Sequence, residues 1–376
     1  MPASLGPKAP DHRGPEADPR LSAKPGGSRC KIGALGRGAC LARVHGDGAK
    51  PRDRGHRTTD GRNSHLNKIT IIGAGRVGET TAQILAEKEL CREIALMDVR
   101  EDVPEGIALD ILQMAPFFEF DCSINGSNDP QILRDSDLVI VTAGLPRKPG
   151  MSRSDVLEAN VGIIDVVTDQ IMQYAPNALV LIVSNPVDTL TYRVAQRTGW
   201  DRSRVFGQAG VLDASRMASF IAQETGFSAL DITTMVLGGH GDTMVPVPRF
   251  CTINGIPLSH FISEERIEAI MERTRTGGAE ILALRKNSSA YDAPGAAVAA
   301  MVDAIVNNRR RVLSCVTLLE GEYGETDLAM GVPCVLGEKG VESIVELDLN
   351  DRERADFDRS AASVRADIER LRNIAS

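Results

Sequence analysis

The sequence predicts an α/β protein: a doubly wound parallel sheet over residues 66–210, followed by a mixed α+β domain over residues 211–376. Three observations lead there. A short β-branched strand, Ile69-Thr-Ile-Ile72, runs through glycine-rich residues into an amphipathic helix. Strands and helices then alternate, which implies parallel strands joined by helical crossovers. Beyond about residue 210 the alternation stops and turn-rich segments enter.

The elements follow in order. The first helix spans about Val77 to Lys88, and the strand Glu93–Asp98 precedes a helical stretch near 102–114. Further strands read at about 120–125, 137–142 and 178–183, with a helix from about Ser154 to Tyr174 before the last. Ser152 and Asp155 make a capping-box pattern at the start of that helix. The second part opens with a helix near 213–226 and a strand over Ile232–Leu237. Pro246, Pro248 and Asn254-Gly255 then suggest antiparallel hairpins. Helices return near 262–286 and 295–309, and a long charged helix closes the chain from about 350 to 373.

Residues 1–65 stand apart. They hold 13 Lys+Arg against 6 Asp+Glu, with 11 glycines, 7 prolines and no apolar period, and read as a disordered basic extension. The remaining residues carry a net charge of −15, so they make a poor general binder of nucleic acid or anionic membrane. No stretch approaches the roughly 20 apolar residues of a membrane span. The seven cysteines are scattered without CxxC pairing or metal-ligand spacing, which favours reduced thiols in a cytoplasmic protein.

The chemistry is concentrated in a few segments. Gly73-Ala-Gly-Arg-Val-Gly78 lies between strand and helix, where backbone N–H groups and the helix dipole hold a pyrophosphate. Asp98, twenty residues on at a strand end, suits the adenosine ribose hydroxyls and repels a 2′-phosphate, favouring NAD. Arg100 follows closely and softens that discrimination in principle. This is the Rossmann arrangement. After the strand Leu138–Val141 comes Ala143–Arg153, too rich in proline and glycine for a helix. Its Arg147 and Arg153 suggest a small substrate with more than one negative group.

Outside residues 1–65 only two histidines occur. His240, flanked by glycines in Leu237–Asp242, suits proton transfer, whereas His260 reads as structural. Asp213 and Arg216, three apart, share a helix face and taken alone read as a surface ion pair. Asn185, before Pro186, reads as a helix-entry turn or a binding residue.

Six motifs occur here in one order: the strand–GAGRVG–helix with Asp98, TAGLPRKPGMSR, VSNPVD, VLDASR, LGGHGD and SSAYDAPGAA. In this the chain resembles the lactate/malate dehydrogenase family, most of all the lactate-dehydrogenase-like bacterial malate dehydrogenases, over about residues 67–373. The resemblance implies reversible NAD-dependent oxidation of (S)-malate to oxaloacetate, as in the tricarboxylic acid cycle. It implies His240 as acid/base, with Asp213 holding its imidazole and raising its pKa. Arg216 is implied to grip the C1 carboxylate, Arg153 to close over the substrate and polarise its carbonyl, and Asn185 to bind the substrate oxygen. Gly73, Ala74, Gly75, Arg76, Val77, Gly78, Asp98, Asn160, Val183, Ser184 and Asn185 are implied to hold NAD.

Arg147 matches the position that reads the far end of the substrate, Arg in malate-type and Gln in lactate-type enzymes. A metal is not implied; a cytoplasmic homodimer or homotetramer is. One departure is Asp292, where many relatives carry a second aromatic. The competing expectations are an L-lactate dehydrogenase, which Arg147 argues against, and a catalytically inactive nucleotide-binding protein. A third, an NAD-dependent glycosidase, lacks the Cys/His metal pair it needs.

Overall fold

A computed structural model describes residues 66–145, 153–286 and 288–374, without the side chains of 153–155. The amino-terminal extension, Ser152, Arg147 and Lys148 therefore lie outside the described residues. The described residues all fall within one compact unit.

In chain order the first half runs β1 (Lys68–Ile72), α1 (Arg76–Glu87), β2 (Glu93–Met97), α2 (Val103–Leu112), the short α3 (Ala115–Phe118), β3 (Ser123–Ser127) and β4 (Leu138–Val141). Then come α4 (Arg153–Tyr174), β5 (Leu179–Ile182), α5 (Val187–Thr198) and β6 (Val205–Gln208). These six strands are all parallel, in the order β3-β2-β1-β4-β5-β6. That is the predicted doubly wound sheet, with its order reversing between β1 and β4. Every residue of β4, β5 and β6 is buried, because helices cover both faces of such a sheet.

The second half runs α6 (Gly210–Thr225), β7 (Ile232–Thr233), β8 (Val236–Leu237), β9 (Val245–Pro246), β10 (Thr252–Ile253), β11 (Ile256–Pro257), α7 (Glu264–Arg285) and α8 (Asp292–Val306). It ends with β12 (Arg311–Glu320), β13 (Thr326–Gly337), β14 (Gly340–Ile344) and α9 (Asp351–Ile374). The Asn254-Gly255 hairpin forms as expected, with left-handed backbone at both turn residues and Ile253 opposite Ile256.

Three features differ from the sequence reading. The single strand over 232–237 is two, because β7 pairs with β10 and β8 with β9. Helix α5 was not anticipated: Asp188, Thr189 and Thr191 occupy buried positions in it and mask its apolar period. Strands β6, β12, β13 and β14 were also not anticipated. Gly331 and Pro333 inside β13 read as strand breakers, yet β13 pairs on both sides. β12 runs antiparallel to β6, with Val316 opposite Gly207, so one nine-stranded sheet continues through both halves.

Helix α9 packs over this junction, against β13, α5 and α4. Phe357, Ala361, Val364, Ile368 and Leu371 bury one stripe at three- and four-residue spacing, leaving the charged residues other than the buried Glu353 outside. Phe357 stacks on Tyr323 with ring centroids 5.0 Å apart. Since Phe357 is fully buried, Phe357→Ala should cost about 3–5 kcal/mol through lost contacts and a cavity. Denaturant unfolding monitored by circular dichroism measures this; a midpoint unchanged from the parent would show that α9 is not anchored there.

Candidate active site

Adjacent strands β2, β1, β4 and β5 deliver their carboxyl ends to one edge of the sheet, and the predicted cofactor residues collect there. Gly73 has φ +106°, and a Cβ on it would meet the Ala143 backbone at 2.6 Å. A Cβ on Gly78 would lie 2.0 Å from the Gly73 oxygen, so the helix start and the strand end need these two glycines. Gly75 is different: apart from its chain neighbours, no atom of the described residues lies within 4 Å of its Cβ position, and it is exposed. The loop thus presents bare backbone to the space at the start of α1, the shape a pyrophosphate needs. Ala74 donates its N–H to Asp98 Oδ2 at 2.8 Å, tying the loop to the end of β2.

Asp98 is also held by Arg100 in a two-pronged pair, Nε to Oδ1 at 3.0 Å and Nη2 to Oδ2 at 2.9 Å, with the Arg100 N–H on Oδ1. Burial works to raise the Asp98 pKa, but Arg100 and the Ala74 N–H outweigh it and hold the carboxyl below its ordinary value. Arg76 is exposed, its guanidinium 5.3 Å from the Tyr291 ring centre. Arg285 covers the same ring at 4.0 Å and pairs with Asp292, the first residue of α8.

At the ends of β4 and β5, Val183 N–H bonds Val141 O at 2.9 Å and the Ser184 hydroxyl bonds Ala143 O at 2.5 Å. Asn160, buried in α4, accepts from Leu145 N–H at 2.7 Å and donates to Asn185 O at 2.7 Å. It therefore clasps the loop after β4 to the exposed Asn185, whose bond to Pro186 is cis. Arg147 lies outside the described residues, as does the side chain of Arg153 at the first position of α4.

The second half contributes the predicted acid–base set. Asp213 sits in the first turn of α6, where the helix dipole favours a carboxylate, and is only 1% exposed. Its Oδ2 lies 2.9 Å from His240 Nδ1 and its Oδ1 accepts from Arg216 Nη1 at 3.0 Å. This is a shared buried anion, where the sequence alone suggested a surface ion pair. Nδ1 accordingly carries a proton toward Asp213, leaving Nε2 for exchange. Burial acts to lower the His240 pKa, but the charge and hydrogen bond of Asp213, aided by Asp188, overcome it and raise the value.

Arg216 lies over the glycines of α7, with its Cδ 3.4 Å from the Cβ position of Gly277, and its Nε has no partner among the described residues. A buried donor of this kind suits a carboxylate ligand.

The turn carrying His240 is pinned on three sides. Gly238, at φ +89°, exchanges backbone hydrogen bonds with Gly331 of β13. Gly239 N–H bonds Ser360 Oγ of α9 at 2.9 Å, and His240 N–H bonds Asp188 Oδ2 of α5 at 2.9 Å. The sequence reading assigned no role to Ser360 or Asp188, because their partners lie 121 and 52 residues away. His260 is exposed in a single 3₁₀ turn, Leu258–His260.

The family model for the lactate/malate dehydrogenase NAD-binding domain matches residues 67–207, and that for the α/β C-terminal domain matches residues 210–374. The malate dehydrogenase of Thioalkalivibrio sulfidiphilus is 65% identical over 307 residues, spanning 82% of this chain and 100% of the relative. The crystal structure of Salinibacter ruber malate dehydrogenase superposes with a TM-score of 0.79 at 42% identity, covering 82% of this chain and 98% of that one. A Cryptosporidium parvum lactate dehydrogenase, solved with lactic acid and nicotinamide adenine dinucleotide, gives a TM-score of 0.79 at 36% identity over 82% of this chain and 98% of its own. With both domain models matched in order and the described cofactor-motif residues gathered at one sheet edge, this chain belongs to the lactate/malate dehydrogenase family.

Proposed function

We propose that this chain is an NAD-dependent malate dehydrogenase that interconverts (S)-malate and oxaloacetate. The observation that carries the reading is the buried Asp213 shared by His240 and Arg216, which pairs a proton carrier with a carboxylate-binding cation. Its full-length likeness to a malate dehydrogenase favours the dicarboxylate. So does Arg147, which pairs with a second carboxylate and would be left unpaired by pyruvate. The cofactor and catalytic domains divide at about residue 210, and a cytoplasmic homodimer or homotetramer is the form we propose. Among the described residues no helix is long and apolar enough to cross a membrane.

When bound, NAD takes up the hydride from C2 of malate. The bare loop at Gly75 would hold its pyrophosphate and the carboxylate of Asp98 its ribose hydroxyls. His240 Nε2 takes the proton from the C2 hydroxyl, and Asp213 stabilises the imidazolium that results. Arg216 binds the C1 carboxylate, Asn185 the substrate oxygen, and Arg153 stabilises negative charge on the carbonyl oxygen.

Oxaloacetate should oxidise NADH far better than pyruvate does; equal or better activity with pyruvate would remove the malate assignment. Arg147→Gln should erase much of a discrimination that reaches roughly 10⁴-fold in such sites. An unchanged preference would mean that another residue selects.

The raised His240 pKa sets the pH behaviour. Oxaloacetate reduction needs imidazolium, so its rate should hold above the ordinary histidine range and fall as pH rises through the raised value. Malate oxidation needs the neutral ring and should rise through the same range. Asp213→Asn removes the largest opposing charge, moving both limbs to lower pH and reducing turnover about 10²-fold or more. Limbs that stay in place would exclude Asp213 as the group that sets them.

Asp98→Ser removes the charge that repels a 2′-phosphate and leaves Arg100 to receive it, so the NADH/NADPH ratio of kcat/KM should fall about tenfold or more. A ratio unaltered in steady-state kinetics would place cofactor selection elsewhere.

A further inference from the structure

Asp188 is a second carboxylate at the acid–base centre. It lies in the first turn of α5, three residues past Asn185, and is 6% exposed. Oδ2 accepts the His240 backbone N–H at 2.9 Å, while Oδ1 is buried without a hydrogen-bond partner among the described residues. An aspartate buried with one oxygen unsatisfied is costly to keep, and packing alone would be served as well by an apolar residue. Its contact with the histidine turn is also the only one of the turn's three tethers that is charged.

We propose that Asp188 is a positioning residue for His240, holding its main chain at the end of β5 and supplying a second buried negative charge that favours the imidazolium. The inference rests on the reading of His240 as the acid/base. Two helix N-termini, those of α5 and α6, thus bring their first-turn carboxylates to one histidine. Asp213 holds the ring through Nδ1, and Asp188 holds the backbone from which the ring projects. Asp188 also joins the cofactor side of the site, through Pro186 and Asn185, to the proton carrier contributed by the second half.

The charged groups acting most strongly on this centre are known on each side. His240 feels Asp213 and Arg216 from α6 and Asp188 from α5; Asp188 feels His240 and Asp213. Burial pushes the Asp188 pKa up to about 6, against the pull of the His240 N–H and ring, so the carboxyl is largely ionised at neutral pH. Below that value it takes up a proton and its support of the imidazolium fades. The pair then titrates as a coupled unit.

Asp188→Asn and Asp188→Ala separate the two contributions. Asparagine keeps an acceptor for the His240 N–H and removes the charge; alanine removes both. In the NADH-loaded enzyme, Asp188→Asn should move the alkaline limb of oxaloacetate reduction down by about half a pH unit or more, with NADH affinity within about twofold of the parent. Asp188→Ala should lower kcat further at every pH, because the histidine turn loses its tether. Should the alanine variant fail to fold, the asparagine variant decides.

A substrate-independent readout accompanies these rates: the His240 resonance in histidine-labelled protein, assigned by its loss in His240→Gln and titrated by NMR. Its midpoint should fall in Asp188→Asn. A midpoint and a rate limb that both match the parent would overturn the proposal and leave Asp188 a packing residue. If the parent reduced no 2-oxo acid, the malate reading would fail, while the NMR midpoint would still decide the role of Asp188.

Discussion

The site depends on one buried anion. Asp213 is almost entirely withdrawn from water, and a carboxylate in that position is stable only when its charge and lone pairs are met. His240 meets one oxygen and Arg216 the other, with the dipole of α6 behind them. Moving any of the three leaves a charge stranded in the interior. The proton carrier and the carboxylate-binding cation are thereby fixed relative to each other before any substrate arrives, which is the preorganisation that acid–base and electrostatic catalysis require.

That arrangement is tied to the sheet. The parallel strands present their carboxyl ends together, and the loops there are stitched by short polar contacts: Ser184 to Ala143, Asn160 to Asn185, Ala74 to Asp98. The histidine turn is brought to the same edge from the second half by Gly331, Ser360 and Asp188. Because β12 pairs directly with β6, the two halves share one continuous sheet rather than a hinge between separate sheets. The cofactor loop and the catalytic histidine are therefore parts of one frame.

Much of this was legible in the chain. The β1 strand, the glycine loop and the helix α1 could be read because their apolar periods are clean and glycine is the only residue the turn admits. The Asn254-Gly255 hairpin was legible for the same kind of reason. Helix α5 and strands β6 and β12 to β14 were not, because buried Asp188, Thr189 and Thr191 blur the helix, Gly207 interrupts β6, and Gly331 with Pro333 interrupts β13. In the site, His240 and the glycines were legible from type and spacing, whereas Asp213 and Arg216 were legible only through the family resemblance. Ser360 and Asp188 were not, since a serine in a charged helix and an aspartate after a proline carry no local sign of a distant backbone partner.

The sequence by itself determined which chemistry the chain can do: a proton carrier between glycines, a pyrophosphate turn, a ribose-binding acid, and arginines for carboxylates. These are properties of residue type and local spacing, and they survive without knowledge of the fold. Only the tertiary structure decided how Asp213 and Arg216 act, turning an apparent surface pair into a shared buried charge. It likewise decided that Asp188 touches His240 and that Arg100 covers Asp98. Each of these depends on burial and on contacts between distant parts of the chain, which fix both the strength of a charge and the group it acts on.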